Sequence, residues 1–507
     1  MPAPDKRDLC FTPAAELVRL YRARKVSPLE VMQAVLARID AVNPAVNAYV
    51  TVAREAALAG ARAATRVLGR KRKALPPLHG VPVSIKDLTP TKGIRTTWGS
   101  AIYRDHVPEE DDLVVQRFKA AGAIVVGKTN TPEFGAGGTT FNALFGATRN
   151  PWNTALTCGG SSGGAAVAIA TGMGPIGQGT DLGGSLRVPA AFCGVIGFRT
   201  TPGMIPRYPR TLAWDSLSVT GPMARTVADV ALTLSAIAGP DERAPLSYKV
   251  DTSEFTRAVR APAIKGSRVA WPPDLGGLIP VDEEVASVAQ DALKVLRALG
   301  ARIESACPDF SDTSEIVAGT RGLAMLALHA DKVTKWRERM QKDLVRDIEE
   351  ARALSAADIA RAEVLRSALW QRVQAFMASR ELLVLPTVAV PPFPVEQPYP
   401  PQINGKAVES YTHWLYLTYG ISVTGLPAIS VPCGFTRAGL PVGLQLVGRR
   451  CQDAAVLRAA AAFEAAAPWT DFIPPVVSVL TGEKGAQSSR FALSRARKQR
   501  HEASVGQ

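Results

Sequence analysis

The sequence predicts an α/β protein: a single large unit in which a central mixed sheet is covered by helices on both faces. Three stretches carry that reading. Between Asp112 and Gly127 an amphipathic helix, Val114 to Ala121, stops at Gly122 and runs into the apolar strand Ala123 to Val126. The step recurs further on, where a strand from Arg268 to Trp271, a helix from Asp282 to Leu299 closed by Gly300, and a strand from Ala301 to Glu304 form a βαβ unit. A third strand, Val81 to Ile85, opens after His79-Gly80 and delivers Lys86 and Asp87 at its end. Such alternation argues for a largely open, mixed sheet.

Residues 10–70 carry apolar and charged residues at helical spacing, with Ser27-Pro28 as a stop and restart. Residues 1–70 are therefore expected to form a helical region packed on a main unit spanning 71–480. Within that unit, 158–191 brings together two Gly/Ser clusters and a small-residue segment, Ala165 to Thr171, which reads as one or two helical turns closed by Gly172. A flexible linker would not carry that apolar run, nor the pattern Thr-Asp-Leu-Gly-Gly-Ser-Leu-Arg. Residues 312–380 are continuously helical and read as a cap. Leu382 to Leu385 form a buried strand, and Pro391 to Pro394 mark a loop. The aromatic run Tyr411, Trp414, Tyr416 and Tyr419 fits core-facing rings of one helix and a pocket wall equally well.

Composition narrows the function classes. The 507 residues are 47% hydrophobic and 21% charged, a globular balance, and the N-terminus has no apolar signal core. The six cysteines lack metal-ligand spacing, so neither a zinc site nor a disulfide framework is implied, and a reducing, cytoplasmic setting is expected. The net charge of +14 invites a nucleic-acid reading. Six basic side chains against two acidic ones fall in the tail 481–507, and another short basic run spans Arg70 to Lys73. No aromatic interleaving accompanies either run, so solvated surface and a disordered tail are expected, with no nucleic-acid or membrane partner.

Gly159-Gly160-Ser161-Ser162-Gly163-Gly164 followed by Gly179-Thr180-Asp181-Leu182-Gly183-Gly184-Ser185-Leu186-Arg187-Val188-Pro189-Ala190 resembles the signature of the amidase signature family of serine hydrolases. The likeness extends to Gly80 through Asp87, Gly127 through Phe134, Gly425 through Ala428 and Gly439 through Gln445.

That resemblance implies hydrolysis of carboxylic amide C–N bonds through an acyl-serine, without metal or cofactor. Ser185 would be the nucleophile, Ser161 a bridging serine on a cis peptide after Gly160, and Lys86 the base. Ser161 is chosen over Ser162 because it precedes Ser185 by 24 residues, as in the family. The base must be neutral to accept a proton, and burial disfavours the ammonium. Backbone N–H groups of Leu182, Gly183, Gly184 and Ser185 would form the oxyanion hole. Asp181 and Arg187 would brace the turn, with Gly160 and Ser162 supporting it. None of the five histidines, His79, His106, His329, His413 and His501, adjoins the Ser motifs or falls in a GxSxG elbow, so a Ser-His-Asp triad has no positive support.

Trp98, Phe134, Trp152 and Trp414 are expected to wall a pocket for an apolar or aryl amide. One departure from the family pattern is Ser422, where many members place Asn before Leu-Thr-Gly-Leu-Pro-Ala. The alternative function is that of the amidase-like component of a glutamyl-tRNA amidotransferase complex, its A chain. It is disfavoured by Thr180-Asp181-Leu182, where that component usually has Ser-Asp-Thr, and by the stretch Thr201 to Arg207. The reading implies a small-molecule amide substrate; it is compatible with a homodimer and leaves the oligomeric state open.

Overall fold

The computed structural model describes residues 8–68 and 75–482; the basic run at 70–73 and all but the first two residues of the expected disordered tail 481–507 lie outside them, and Thr481 closes the helix Pro475–Thr481. In chain order the strands are β1 Tyr49–Val52, β2 Pro82–Lys86, β3 Ile124–Thr129, β4 Phe141–Asn142, β5 Gly146–Ala147, β6 Ile176–Asp181, β7 Ile196–Arg199, β8 Val219–Ala224, β9 Arg268–Ala270, β10 Arg302–Glu304, β11 Leu382–Pro386, β12 Gln402–Ile403, β13 Lys406–Ala407, β14 Ala428–Phe435 and β15 Pro441–Gly448. Eleven of them form one sheet in the order β1-β3-β2-β6-β8-β7-β14-β15-β11-β9-β10, while β4–β5 and β12–β13 are separate two-stranded ribbons.

The sheet is mixed. β2 runs parallel to both β3 and β6, and β9 runs parallel to β10 and β11. Antiparallel pairs join the two parallel parts through β8, β7, β14 and β15. Side chains alternate across a strand, and both faces are covered. In β11, Leu382 and Val384 enter one apolar core, while Leu383 and Leu385 enter another on the opposite face.

Local chemistry accounts for the element boundaries. The helix Pro28–Val46 starts on a capping box in which Ser27 and Glu30 satisfy each other's backbone N–H, and it ends at Asn47 in the left-handed region. The helix Glu283–Ala298 starts where Asp282 accepts from the N–H groups of Glu284 and Val285. β1 departs from the all-helical expectation for residues 10–70. Its Tyr-Val-Thr-Val sequence has the β-branched content of a strand, and it pairs with β3 at the sheet edge. The cap is helical as expected, with helices Thr313–Trp336, Lys342–Arg352 and Ala356–Met377. No helix among the described residues is long and apolar enough to cross a membrane.

Candidate active site

Parallel strands β2 and β6 end side by side, and their carboxyl ends carry Lys86 on one and Thr180 and Asp181 on the other. Carboxyl ends of strands are where open α/β sheets place their sites. Gln178 in β6 fixes the register locally, because its Oε1 accepts from Lys86 N at 3.2 Å and from Thr89 Oγ1 at 3.1 Å. The helix Gly163–Ala170 is buried along its whole length, which its glycines and alanines permit, and it leaves Ser161 and Ser162 at its N-terminal approach.

Lys86 is fully buried, and its Nζ lies 2.7 Å from Ser161 Oγ, 2.9 Å from Ser162 Oγ and 3.1 Å from Thr180 Oγ1. Burial drives its pKa well below the ordinary lysine value; Asp181 opposes the shift, and Arg207 adds to it. As an ammonium, Nζ donates to all three hydroxyls; once deprotonated it has two N–H donors and one lone pair, and one of the three must then donate to it. Ser162 is committed otherwise. Its hydroxyl donates to the Thr180 carbonyl at 3.2 Å and also accepts from Thr180 N, leaving it only as an acceptor toward Lys86. Ser161 has no such commitment, and its Oγ lies beside the cavity wall, 3.6 Å from where a Cβ on Gly135 would stand. The Gly160–Ser161 peptide is cis.

The turn after β6 is organised by Asp181. Its carboxylate accepts from Gly184 N at 2.9 Å, Leu186 N at 3.1 Å, Arg187 Nη2 at 2.9 Å, Arg187 Nε at 3.0 Å and Arg199 Nη1 at 3.1 Å, all buried. Burial alone would raise its pKa, yet Arg187 and Arg199 override that and hold the carboxyl below its usual range. Arg187 also donates to Ser422 Oγ at 2.6 Å and Gln445 Oε1 at 2.5 Å. The departure at Ser422 thus falls behind the turn, on the guanidinium that braces it.

One expected oxyanion donor is already engaged. Gly184 N–H belongs to Asp181, so the turn offers the N–H groups of Leu182, Gly183 and Ser185, which have no acceptor among the described residues. Ser162 N donates to Ser185 O at 3.1 Å and ties the two serine motifs together.

Beside Ser185 lies a small, partly open cavity, with about 380 Å³ of empty space when its mouth to solvent is included. The glycine-rich loop 135–138, Leu182 through Ser185, Val188, Met325 and Leu415 line it, with Tyr411, Tyr419 and Arg321. Arg321 lies over the Tyr411 ring and bonds Asp347 at 2.5 Å, so the charge it brings to the wall is paired with a carboxylate outside the lining. The four rings expected to wall this pocket sit elsewhere. Trp98 packs on Tyr103 and His106, Phe134 on His329, and Trp152 donates to Cys193 O and packs on Phe435. Trp414 is wholly buried between Phe192 and Phe393. Of the aromatic run, Tyr411 and Tyr419 reach the cavity; Trp414 belongs to the core behind Gly138, and Tyr416 bonds Ser314.

The profile of the Amidase family matches residues 30–457. The chain belongs to the amidase signature family. It is 40% identical over 472 residues to an acylamidase of Rhodococcus erythropolis, covering 92% of this chain and 98% of that one. It is 36% identical over 481 residues to the A chain of a glutamyl-tRNA(Gln) amidotransferase of Thermosynechococcus vestitus, covering 90% and 98%. Among solved structures, a bacterial aryl acylamidase of this family superposes with a TM-score of 0.86 at 29% identity, covering 94% of this chain and 99% of that one.

Arg199, Thr180 and Gln445 are among the residues that sequence reasoning left without a role. Gln445 stood inside a quoted motif, and Thr180 stood beside Asp181. Arg199 carried no local signal, because its partner lies 18 residues away across the sheet.

Proposed function

We propose that this member of the family is an acylamidase that hydrolyses small, neutral carboxylic amides through acyl-Ser185. The observation that carries the reading is a buried lysine, depressed in pKa, hydrogen-bonded to a serine at the wall of the cavity that Ser185 lines. Lys86 takes a proton from Ser161 as Ser161 takes the Ser185 proton, and Ser185 Oγ bonds to the amide carbon. The carbonyl oxygen becomes an oxyanion beside the turn's N–H groups. As the C–N bond breaks, the proton returns through Ser161 to the departing amine. Water then attacks the ester, gives its proton to the same relay, and releases a carboxylate and free Ser185.

The neutral substrate class is supported by the wall: Arg321 is paired with Asp347, so a charged substrate would enter without a free counter-charge. The reading includes a reducing, cytoplasmic setting and no nucleic-acid partner. Fluorophosphonate labelling followed by mass spectrometry, with a panel of aryl, alkyl and amino-acid amides, tests it. Label on Ser161 or Ser162 with Ser185 free overturns the assignment. The similarity to the A chains of amidotransferases supports a second reading. Glutamine-dependent amidation of charged tRNA on adding the other components of such a complex would establish it in place of the first.

A further inference from the structure

We propose that Thr418 is a positioning residue for the oxyanion hole: its hydroxyl holds the Gly183–Gly184 peptide so that the N–H groups on either side of it stay available to the cavity. The inference rests on the reading of Ser185 as the acylated residue.

Every carbonyl of the turn between Gly183 and Ser185 has a donor. Gly184 O accepts from Val188 N at 2.7 Å, and Ser185 O accepts from Ser162 N at 3.1 Å. Gly183 O accepts from Thr418 Oγ1 at 2.7 Å. The first two donors are backbone groups, whereas the third is a side chain from the distant helix Tyr416–Thr424. Thr418 is buried and does not line the cavity, so it acts through the turn and does not touch substrate.

The peptide needs holding because of what flanks it. Helix and turn pack so closely that a Cβ on Gly183 would stand 2.1 Å from Tyr419 Cζ, and one on Gly184, at φ +125°, would stand 2.3 Å from Thr418 Oγ1. Glycine at both places is therefore required, and a Gly-Gly peptide is the easiest kind to rotate about its flanking bonds. A rotated plane would turn the Gly183 carbonyl toward the place where negative charge develops. The plane is clamped at both edges, with Thr418 on its C=O and Asp181 on its N–H. Thr418 has one proton and a second acceptor, Leu415 O at 2.9 Å. Leu415 is the N-cap of its helix, and an N-cap carbonyl already accepts the first intrahelical bond. Gly183 O has no other donor among the described residues, which places the proton there.

The test uses fluorophosphonate phosphonylation of Ser185, which needs the same oxyanion donors and no knowledge of the natural substrate. Thr418→Val keeps the side-chain shape without the donor, and Thr418→Ser restores the donor. In the valine variant the maximal labelling rate is expected to fall about 10- to 100-fold, less than the loss of a direct oxyanion donor, with reversible affinity for the reagent little changed. The serine variant should label within a few-fold of wild type. Thr418→Ala, which only removes atoms, gives the same comparison if valine prevents folding. A folded valine or alanine variant labelling within three-fold of wild type, about 0.7 kcal/mol, overturns the inference alone. Equal losses in the serine and valine variants also overturn it, since packing and not the hydroxyl would then be responsible. Labelling of wild type at a residue other than Ser185 overturns the underlying reading and this inference with it.

Discussion

Lys86 Nζ and Ser161 Oγ stand 2.7 Å apart in an interior where the lysine has no solvent exposure and, among the described residues, no carboxylate within ion-pair distance. Asp181, the nearest acid in the electrostatics of the site, is spent on two guanidiniums. Burial in that position disfavours the charged form of the amine.

Lys86→Arg is accordingly expected to lose as much activity as Lys86→Ala, on the order of 10²- to 10⁴-fold, because arginine keeps the cation but accepts no proton. In the wild type, kcat/KM should rise with pH along a limb set by the depressed lysine, and the limb should vanish from the residual activity of Lys86→Ala. A folded arginine variant within a few-fold of wild type would sink the base assignment.

The two adjacent serines should respond differently. Ser161→Ala removes the relay and is expected to cost about 10²- to 10⁴-fold in kcat. Ser162→Ala removes one hydrogen bond to the lysine, worth about 1 kcal/mol, or roughly five-fold. Steady-state kinetics on both variants check this, and equal losses would contradict the separation of roles.

Asp181→Asn leaves the Arg187 and Arg199 guanidiniums buried against a neutral amide. Unfolding in denaturant is expected to show a loss of about 3–5 kcal/mol. The sign with pH follows from the depressed carboxyl: the wild type holds this stabilisation above the ordinary aspartate range and loses it only as pH falls below that range. The Asn variant should lack that step.

The pairing of Arg321, in the cavity wall, with Asp347 gives a charge test. Arg321→Met leaves Asp347 unpaired near the cavity and should shift kcat/KM toward ammonium-bearing amides. Asp347→Asn should shift it toward carboxylate-bearing ones. A panel of neutral, anionic and cationic amides whose ranking is unmoved by both changes would remove the pair from specificity.

Burial raises the pKa of Glu464 to about 7; its carboxyl accepts weakly from Val227 N at 3.2 Å, with Asp229 nearby. The native state therefore holds a proton that the unfolded chain releases at lower pH, so this contribution to stability is full below the ordinary glutamate value and lost as pH rises through about 7. Glu464→Gln should flatten the fall in Tm across that interval.

The strand ending in Lys86, the βαβ unit and the helical cap were legible in the sequence because apolar period and glycine stops act locally. The serine motifs were legible through their resemblance to known sequences. The edge strand β1 was missed because four residues between two strong helical patterns carry little periodic signal. The rings failed for a different reason: spacing in the run from Tyr411 to Tyr419 cannot tell which side of a helix meets a cavity and which meets Phe192 and Phe393. Gly184 failed as an oxyanion donor because a motif names residues and not the direction of an N–H, which Asp181 decides in space.

The order of strands has a consequence for how the protein is made. β14 and β15 are inserted in the middle of the sheet, between β7 and β11, and the brace behind Ser185 draws on Ser422 and Gln445. During vectorial synthesis the Ser185 turn leaves the ribosome more than 200 residues before its brace does. A nascent chain halted within the cap holds Lys86, Ser161 and Ser185 but lacks Ser422 and Gln445, which brace Arg187 behind the Ser185 turn. Hydrolysis should therefore require the chain through β15, and a chain severed in the cap should regain it only when both fragments reassociate.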